Sequence, residues 1–223
     1  MKKELLKQAL IKVISGFILL CLLIFMPAGT FSYFQGWLLI CVLFIPMFIM
    51  GIYLLNNNPE LLRKRLNSKE EESEQKAVIV FSGLMFLCSF VVCGLNYRFR
   101  WHVLPIFISV IASIIFLIGY SLYFECMKEN DYLSRTVEVQ DNQKVIDTGL
   151  YGIIRHPMYL STLLMFLSIP LILGSFIGFI IMLAYIPIIS LRISNEEKVL
   201  EEGLDGYKEY KLKVRYKIIP YIW

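Results

Sequence analysis

Charge-free stretches of mostly apolar residues alternate with charged segments along the whole chain. The hydrocarbon core of a bilayer is about 30 Å thick, so a helix needs about 20 residues to cross it. Four stretches reach that length without Asp, Glu, Lys or Arg: 13–59, 77–97, 101–124 and 156–191. The first has room for two helices around a turn at Pro27, Gly29 and Gly36. Pro170 and Gly174 divide the fourth, so the pattern predicts six membrane-spanning helices, the last two forming a hairpin.

The composition of the chain supports this interpretation. Apolar residues make up 57% of the 223 residues and charged residues 18%, against about 45–50% and about 25% in soluble domains. Soluble, disordered, collagen-like and disulfide-scaffold classes are therefore excluded. We expect an all-α integral membrane protein with four spans in region 1–124. Region 125–223 then carries the hairpin and a cytoplasmic tail with an amphipathic helix at 195–210.

Basic residues indicate the orientation in the membrane. They are concentrated before the first span, in the second and fourth connections and in the tail, whereas the odd-numbered connections hold only Arg98 and Arg100. Short loops rich in Lys and Arg stay in the cytoplasm. Both termini are therefore expected there, at the cell membrane if the protein is prokaryotic. A cleaved signal peptide at 5–29 is the alternative, but this segment lacks a convincing small-residue cleavage site and a second span follows it directly.

The net charge of +4 and the five cysteines predict no further site. The positive charge comes from basic residues beside the spans, so the lipid bilayer is the expected partner and no nucleic acid is implied. The number of cysteines is odd, no C-x-x-C pair occurs, and four of them lie inside predicted spans. We expect neither a disulfide nor a bound metal.

The two longest polar connections differ in character. Segment 56–76 has a basic run followed by acidic residues, which is typical of a solvated charged helix. Segment 125–155 is longer, and its apolar and polar residues alternate at 137–139 and 144–146 on either side of the turn residues 141–143. Long connections with their own structure are often functional. We therefore expect a site in the second of these segments.

The segment G-L-Y-G-I-I-R-H-P-M-Y at 149–159 leads into the fifth predicted span. Pro157 suits the first position of a helix, where a backbone N–H has no helical partner. Arg155 and His156 then lie at the positive end of the helix dipole, which disfavours cations, so an anion is expected nearby. The alternative is structural, with the arginine as a membrane-side anchor, the histidine as a polar cap and Tyr159 as an interfacial aromatic residue.

A second polar group follows the sixth predicted span. If that helix continues, Arg192 and Glu196 share one face at i, i+4 spacing, with Glu197 beside them. A surface charge pair is the simpler interpretation, but Arg before Glu is the weaker orientation of such a pair. Because the last two spans form a hairpin, the start of one meets the end of the other. His156 and Glu196 are therefore expected to be neighbours.

These motifs together resemble a known family. The run R-H-P-M-Y, the apolar hairpin, the pair E-E, the run G-Y-K-E-Y and the closing I-I-P are similar to those of the isoprenylcysteine carboxyl methyltransferases and their phospholipid N-methyltransferase relatives. The resemblance covers about 125–223, and region 1–124 adds nothing to it. It implies that S-adenosylmethionine binds here and that a methyl group moves to a lipophilic acceptor. Such a reaction needs no metal.

The resemblance also implies roles for individual residues. The positions that correspond to cofactor contacts are Gln143, Lys144, Val145, Ile146, Tyr151, Arg155, His156, Pro157, Met158, Tyr159 and Glu196. Backbone N–H groups at the helix start, together with His156, are expected to hold the cofactor carboxylate, and Glu196 its amine. Arg192 corresponds to the arginine that binds a substrate carboxylate. Ser161 stands where prenylcysteine enzymes often have glycine, which leaves the acceptor open.

Which residues are catalytic depends on the chemical class of the methyl acceptor. A carboxylate acceptor is ionised at neutral pH, needs no base, and would be oriented by the Arg192 guanidinium. An amine or thiol acceptor needs a base, for which Glu197 or a tyrosine is available. The candidate catalytic residues are accordingly Arg192, Glu196 and Glu197. The carboxylate acceptor, as in C-terminal S-isoprenylcysteine O-methylation, is the favoured hypothesis.

Two other classes of protein compete with this interpretation. Sterol reductases have a similar C-terminal helical organisation and would bind NADPH, but the sequence shows no additional arginine cluster for the cofactor phosphate. A transporter or a non-catalytic scaffold is also compatible with six helices. Transport pathways usually include ionisable residues within the membrane, and the predicted spans have none deep inside them.

Overall fold

The computed structural model describes residues 2–66, 73–133 and 139–223. Within these residues the chain is helical: α1 (Lys2–Ala28), α2 (Phe34–Asn57), α3 (Pro59–Leu66), α4 (Ser73–Phe99), α5 (Ile106–Glu129), α6 (Pro157–Ile172), α7 (Phe176–Met182), α8 (Tyr185–Gly203) and α9 (Tyr207–Lys213). A short 3₁₀ turn at Gly149–Gly152 precedes α6. The all-α class expected from the sequence is confirmed.

Five apolar segments in the described part of the chain are long enough to cross a membrane. They correspond to α1, α2, most of α4, α5, and α7 with α8 taken together over Phe176–Gly203. Helix α6 is the sixth apolar helix and is shorter, with 16 residues. The protein is therefore a multi-pass membrane protein, and the last predicted span is two helices separated at Leu183 and Ala184.

The helices meet at two opposite ends of the bundle. At one end, which we call the hairpin end, the backbone N–H of Leu104 donates to the Gly174 carbonyl at 2.9 Å, and the Tyr33 hydroxyl donates to the Leu173 carbonyl. At the other, which we call the loop end, Leu5 of α1 packs with Met127 at the end of α5. The N-terminus thus lies on the same side of the bundle as the loop between α5 and α6. Which side faces the cytoplasm stays a prediction.

Two glycines shape the helical pair that carries the site. A Cβ on Gly119 of α5 would lie 3.0 Å from the Ser161 carbonyl oxygen of α6, so the small residue lets these two helices approach closely. Gly174 has a φ of +70°, which permits the tight turn between α6 and α7. The predicted break near Pro170 and Gly174 is confirmed, because α6 ends at Ile172 and α7 begins at Phe176.

The charged connector at 56–76 was expected to be a solvated helix, and this is wrong for its described part. Helix α3 buries Leu61 and Leu62, which are 1% and 8% exposed, against Leu54 and Met127. Helix α3 is amphipathic, and its apolar side packs on the bundle. Of its basic residues, Arg63 is exposed, whereas Arg65 is half-buried and donates to the Tyr123 hydroxyl of α5. The acidic residues at 70–72 and the predicted alternation at 137–138 lie outside the described residues.

The tail differs from the expected amphipathic helix at 195–210. Helix α8 leaves the bundle without interruption and ends at Gly203, and Gly206, with a φ of +82°, precedes the separate helix α9. Tyr207 and Tyr210 of α9 are buried in a small cluster with Val145 from the loop before α6. The helical character was predicted correctly, but the two glycines divide the segment.

Candidate functional site

A cavity opens at the loop end, between the start of α6, the end of α8, the loop before α6, and α9. It encloses about 850 Å³, including open solvent at its mouth. The residues singled out from the sequence that line it are Gln143, Lys144, Val145, Ile146, Tyr151, Arg155, His156, Met158, Tyr159, Arg192 and Glu196. Pro157 and Glu197 are not part of its described wall. The chain thus brings most of the predicted site residues together.

The start of α6 is built around a buried ion pair. Pro157 occupies the first turn of the helix, as predicted, and His156 precedes it. The Arg155 Nε donates to Glu197 Oε1 at 2.7 Å, and the His156 Nε2 lies 3.1 Å from the same oxygen. These side chains are 4–6% exposed. The anion expected at this helix start is therefore present within the chain, as the carboxylate of Glu197 from α8.

The segment after α9 completes this arrangement. The Arg155 guanidinium donates to the carbonyls of Val214 and Arg215 at 2.8 and 2.7 Å. The backbone N–H groups of Arg155 and His156 donate to the carbonyls of Tyr216 and Lys217 at 2.9 and 2.8 Å. Backbone N–H groups at this helix start were expected to hold a cofactor carboxylate. Those of Arg155 and His156 are not available for it, because the tail carbonyls already accept from them.

Glu197 is held by further cations and is unsuited to act as a base. Besides Arg155 and His156, the ammonium groups of Lys211 and Lys217 lie 3.6 and 3.4 Å from its second oxygen. Protonating this carboxylate would remove the partner of a buried guanidinium, which is costly. The general-base role considered for Glu197 therefore does not fit its surroundings, which assign it a structural role.

Tyr159 connects the two polar residues of α8 that face the cavity. Its hydroxyl donates to the Glu196 carboxylate and accepts from Arg192 Nε at 3.1 Å. Because α8 is continuous over Tyr185–Gly203, Arg192 and Glu196 lie one turn apart, as the i, i+4 spacing predicted. His156 and Glu196 both line the cavity, but the carboxylate that bonds to His156 is that of Glu197.

Two buried tyrosine hydroxyls lie in the cavity wall: that of Tyr151, which was expected at the site, and that of Tyr207, which was not. Among the described residues the Tyr207 hydroxyl has no hydrogen-bond partner, and burial, followed by the nearby Glu197 carboxylate, raises its pKa well above the ordinary value. Tyr151 likewise lacks a bond of normal geometry, although the Asn130 side chain is near enough to oppose part of the burial-driven rise in its pKa. Both hydroxyls therefore stay protonated and are available as donors. Buried polar groups without partners are uncommon.

The sequence contains a signal for Tyr207. Tyr207 and Tyr210 are three residues apart in G-Y-K-E-Y, so on a helix they share one face. In the structure both are buried, and the Tyr210 hydroxyl donates to the Tyr151 carbonyl at 2.7 Å. Helix α9 thereby packs against the 3₁₀ turn before α6, and it closes one side of the cavity.

The loop before α6 supplies another part of the cavity wall. A turn at 140–143 is fixed by two bonds: Gln143 N–H donates to the Gln140 carbonyl at 3.0 Å, and Gln140 N–H donates to Gln143 Oε1 at 2.9 Å. After the turn, Val145 packs on the α9 cluster. Lys144 is exposed at the cavity and makes no hydrogen bond or ion pair within the described residues.

Metal-ligating residues are dispersed in this structure. Over the described ranges, no group of three or more His, Cys, Asp or Glu side chains is arranged to hold a metal ion. All five cysteines are free thiols. The polar groups in the cavity wall are instead hydroxyls, amides, an imidazole, a carboxylate and cationic side chains, which suit a polar organic ligand.

The fold and the cavity define a multi-pass helical membrane protein with a polar pocket at one end of its terminal hairpin. Residues 107–205 match the family model PEMT, described as phospholipid methyltransferase. This family includes the isoprenylcysteine carboxyl methyltransferases that the motifs resemble. The matched region begins in α5 and ends before α9, so it contains α6, α8 and the loop wall of the cavity.

A reductase shows similarity to a shorter part of the chain. A stretch of 91 residues, 40% of this chain, is 29% identical to the Delta(14)-sterol reductase TM7SF2 of Mus musculus. The chain spans only 22% of the length of that protein. The similarity therefore concerns a segment of the reductase and not its whole architecture.

Proposed function

We propose that this protein is an integral membrane methyltransferase that moves a methyl group from S-adenosylmethionine to a lipophilic acceptor. The observation that carries the proposal is the overlap between the family match and the cavity. Region 107–205, matched as phospholipid methyltransferase, contributes most of the cavity wall, including Tyr159, Arg192 and Glu196. The remaining wall comes from α9.

The chemistry of the wall fits S-adenosylmethionine. Binding pockets for small molecules combine apolar surface with a few polar groups that orient the ligand, and the wall of this cavity has both. We assign the cofactor amine to the Glu196 carboxylate and its carboxylate to the exposed ammonium of Lys144. The unpartnered hydroxyl of Tyr207 is a donor for a ribose or adenine acceptor. Leu200, Leu204 and Val145 add apolar surface for the adenine ring.

The protein's part in this reaction is alignment and exclusion of water. When bound, S-adenosylmethionine supplies a methyl group on a sulfonium together with a good leaving group. The chain has to hold the acceptor in line with that methyl and keep the site dry. Arg192 is the residue that we assign to the acceptor, and the Tyr159 hydroxyl fixes its Nε. Glu197 acts through Arg155 and keeps the wall in place.

We favour a carboxylate acceptor on a lipophilic molecule, as in C-terminal S-isoprenylcysteine O-methylation. A carboxylate is ionised at neutral pH and reacts without a base, and a planar guanidinium binds it with two parallel hydrogen bonds. The membrane position of the hairpin suits an apolar substrate. An amine or thiol acceptor would need a base, and Glu196 on the cavity wall would then serve as that base in place of its contact with the cofactor amine.

A membrane reductase is the second candidate. The 29% identity over 91 residues to the Mus musculus sterol reductase supports it, and its cofactor would be NADPH. The cationic wall residues Lys144 and Arg192 offer partners for a phosphate as well as for a carboxylate. The two candidates therefore differ in the cofactor that the cavity accepts.

Calorimetric titration separates the two candidates. Detergent-purified protein is titrated with S-adenosylmethionine and, separately, with NADPH. We expect binding of S-adenosylmethionine and none of NADPH at the same concentrations. Binding of NADPH alone would overturn the methyltransferase proposal. Methyl transfer to a prenylcysteine mimic, a lipid amine and a small thiol then identifies the acceptor class.

A further inference from the structure

A second concave surface lies at the loop end, away from the cavity. It runs between the first turns of α1 and helix α3, and we call it the α1–α3 groove. Its wall includes Gln8, Lys12, Glu60, Arg63 and Lys64. It encloses about 1150 Å³, open solvent included, and it shares no described wall residue with the methyl-transfer cavity.

The groove is positively charged. Basic residues on its wall and its extension toward the N-terminus are Lys2, Lys12, Arg63 and Lys64, against the acidic residues Glu4 and Glu60. Counted over the described residues, four basic groups therefore face two acidic ones. Such an excess of cations in a recess between helices favours an anionic group of matching size.

The basic groups are not all engaged within the protein. Arg63 is exposed, and its guanidinium makes no hydrogen bond or ion pair with any residue that the structure describes. The Lys12 ammonium donates one bond to the Leu66 carbonyl, and an ammonium has three donors. These two side chains come from the two helices that form the groove, so one anion between them would contact both.

Apolar surface continues from the groove along α1. Ile11, Ile14 and Ile18 are 58%, 56% and 53% exposed, and their i, i+3, i+7 spacing places them on one face of a helix that is long and apolar enough to span a membrane. Acyl chains that follow this face would end with their headgroup at the level of Lys12 and Arg63. The groove thus combines a cationic recess with an adjoining lipid-facing stripe.

We propose that the α1–α3 groove binds the phosphate of an anionic phospholipid, with Arg63 and Lys12 as the phosphate contacts. A zwitterionic phospholipid carries its own cation beside the phosphate and gains less from the basic wall. The bound lipid also braces the cavity. Lys64 donates to the Asp131 carbonyl at 3.2 Å, and Asn58 donates to the Asp131 carboxylate at 2.6 Å, so α3 is attached next to the cavity residues Asn130 and Tyr132.

Native mass spectrometry of the full detergent-purified chain tests the proposal. The protein is mixed with phosphatidylglycerol, phosphatidylcholine or inorganic phosphate. We expect phosphatidylglycerol to be retained preferentially, and Arg63→Gln to reduce its retention about fivefold, the effect of removing one basic residue close to an anionic lipid. The matched control is Lys208→Gln, an exposed lysine of α9 outside the groove, which should retain the lipid like the native protein.

Each other outcome contradicts the proposal. Equal retention of phosphatidylglycerol and phosphatidylcholine by the native protein removes the charge selectivity, and this comparison needs no variant. Equal losses in Arg63→Gln and Lys208→Gln would show general attraction to the basic surface. Inorganic phosphate that displaces the lipid at equal concentration would reveal an anion site without a lipid requirement. Thermal unfolding of Arg63→Gln verifies that it is folded.

Discussion

Arg155 and Glu197 form a buried ion pair between the start of α6 and the end of α8, with 2.7 Å between Nε and Oε1. The same guanidinium also holds two carbonyls of the tail, those of Val214 and Arg215. One arginine thus fixes three separate parts of the chain against one another. This contact holds Arg155 in the cavity wall, although Glu197 itself is not among the described wall residues.

Removing the carboxylate of Glu197 should destabilise the protein strongly. Glu197→Gln leaves the Arg155 guanidinium buried without an opposite charge, and breaking one side of a buried pair costs about 3–5 kcal/mol. Chemical unfolding in detergent measures the loss, and limited proteolysis after Arg215 and Lys217 shows whether the tail is released. The control is Glu125→Gln, whose pair with Lys128 is exposed and contributes about 0.2–1 kcal/mol. Equal losses in both variants would show that the buried pair has no special role.

Removing the hydroxyl of Tyr207 should weaken the binding of S-adenosylmethionine and leave the fold intact. The hydroxyl has no partner among the described residues, so Tyr207→Phe removes no internal hydrogen bond. If the hydroxyl bonds S-adenosylmethionine, its loss should reduce affinity about two- to tenfold, measured by calorimetry.

The matched control for this test is Tyr210→Phe. That substitution removes the bond to the Tyr151 carbonyl, 2.7 Å long, and should lower the free energy of unfolding by about 1 kcal/mol. Unchanged affinity of Tyr207→Phe for S-adenosylmethionine would show that the Tyr207 hydroxyl makes no contact with it. A comparable loss of stability in both variants would mean that Tyr207 serves the fold.

Substitution of Arg192 by lysine should separate catalysis from cofactor binding. Lysine keeps the positive charge and loses the planar guanidinium, so turnover of a carboxylate acceptor should fall while S-adenosylmethionine affinity stays nearly unchanged. Methyl-transfer rates with saturating cofactor provide the measurement. With an amine acceptor, Arg192 repels the protonated substrate, and Arg192→Gln should then be neutral or beneficial. Full activity of Arg192→Lys on the carboxylate acceptor would exclude recognition by two parallel hydrogen bonds.

Labelling of single cysteines from the two sides of the membrane tests the orientation. The structure places the N-terminus at the loop end together with the cavity, and the basic residues predict that this end is cytoplasmic. Cysteines introduced at Thr30 and Phe99 should react with a membrane-impermeant reagent from outside. Cysteines at Gln140 and Lys208 should react only after permeabilisation. Labelling of Lys208→Cys in intact cells would place the cavity on the wrong side for a cytosolic cofactor.

The helices and the hairpin were predictable because their physical causes are local. Charge-free length determines which segments can cross a bilayer, and Pro157 and Gly174 mark a helix start and a turn by backbone geometry alone. The continuation of α8 through Arg192 and Glu196 also followed from spacing. In contrast, the burial of α3 depends on contacts with α2 and α5, which a mixed-charge segment does not reveal.

Which residues form the site was easier to predict than which of them bond to one another. The sequence predicted that His156 lies beside Glu196, whereas in the structure the His156 ring bonds to Glu197. Successive residues on a helix point about 100° apart, so the choice between two adjacent carboxylates depends on the rotation of α8 about its axis. That rotation is determined by packing against α4 and α6, which no local pattern contains. The bonds from Arg155 and His156 to the tail carbonyls could not be predicted either, because every residue has a backbone carbonyl and the sequence does not mark which ones are used.

The attachment of segment 214–217 to the start of α6 determines the order in which the site can form. Synthesis proceeds from the N-terminus, so α6 and α8 are made and can enter the bilayer before this segment exists. Until it arrives, the backbone N–H groups of Arg155 and His156 lack the carbonyls that they bond in the finished protein. Membrane insertion and completion of the cavity wall are therefore separate events, and a nascent chain that already spans the membrane still lacks the contacts that hold Arg155 and His156 in that wall.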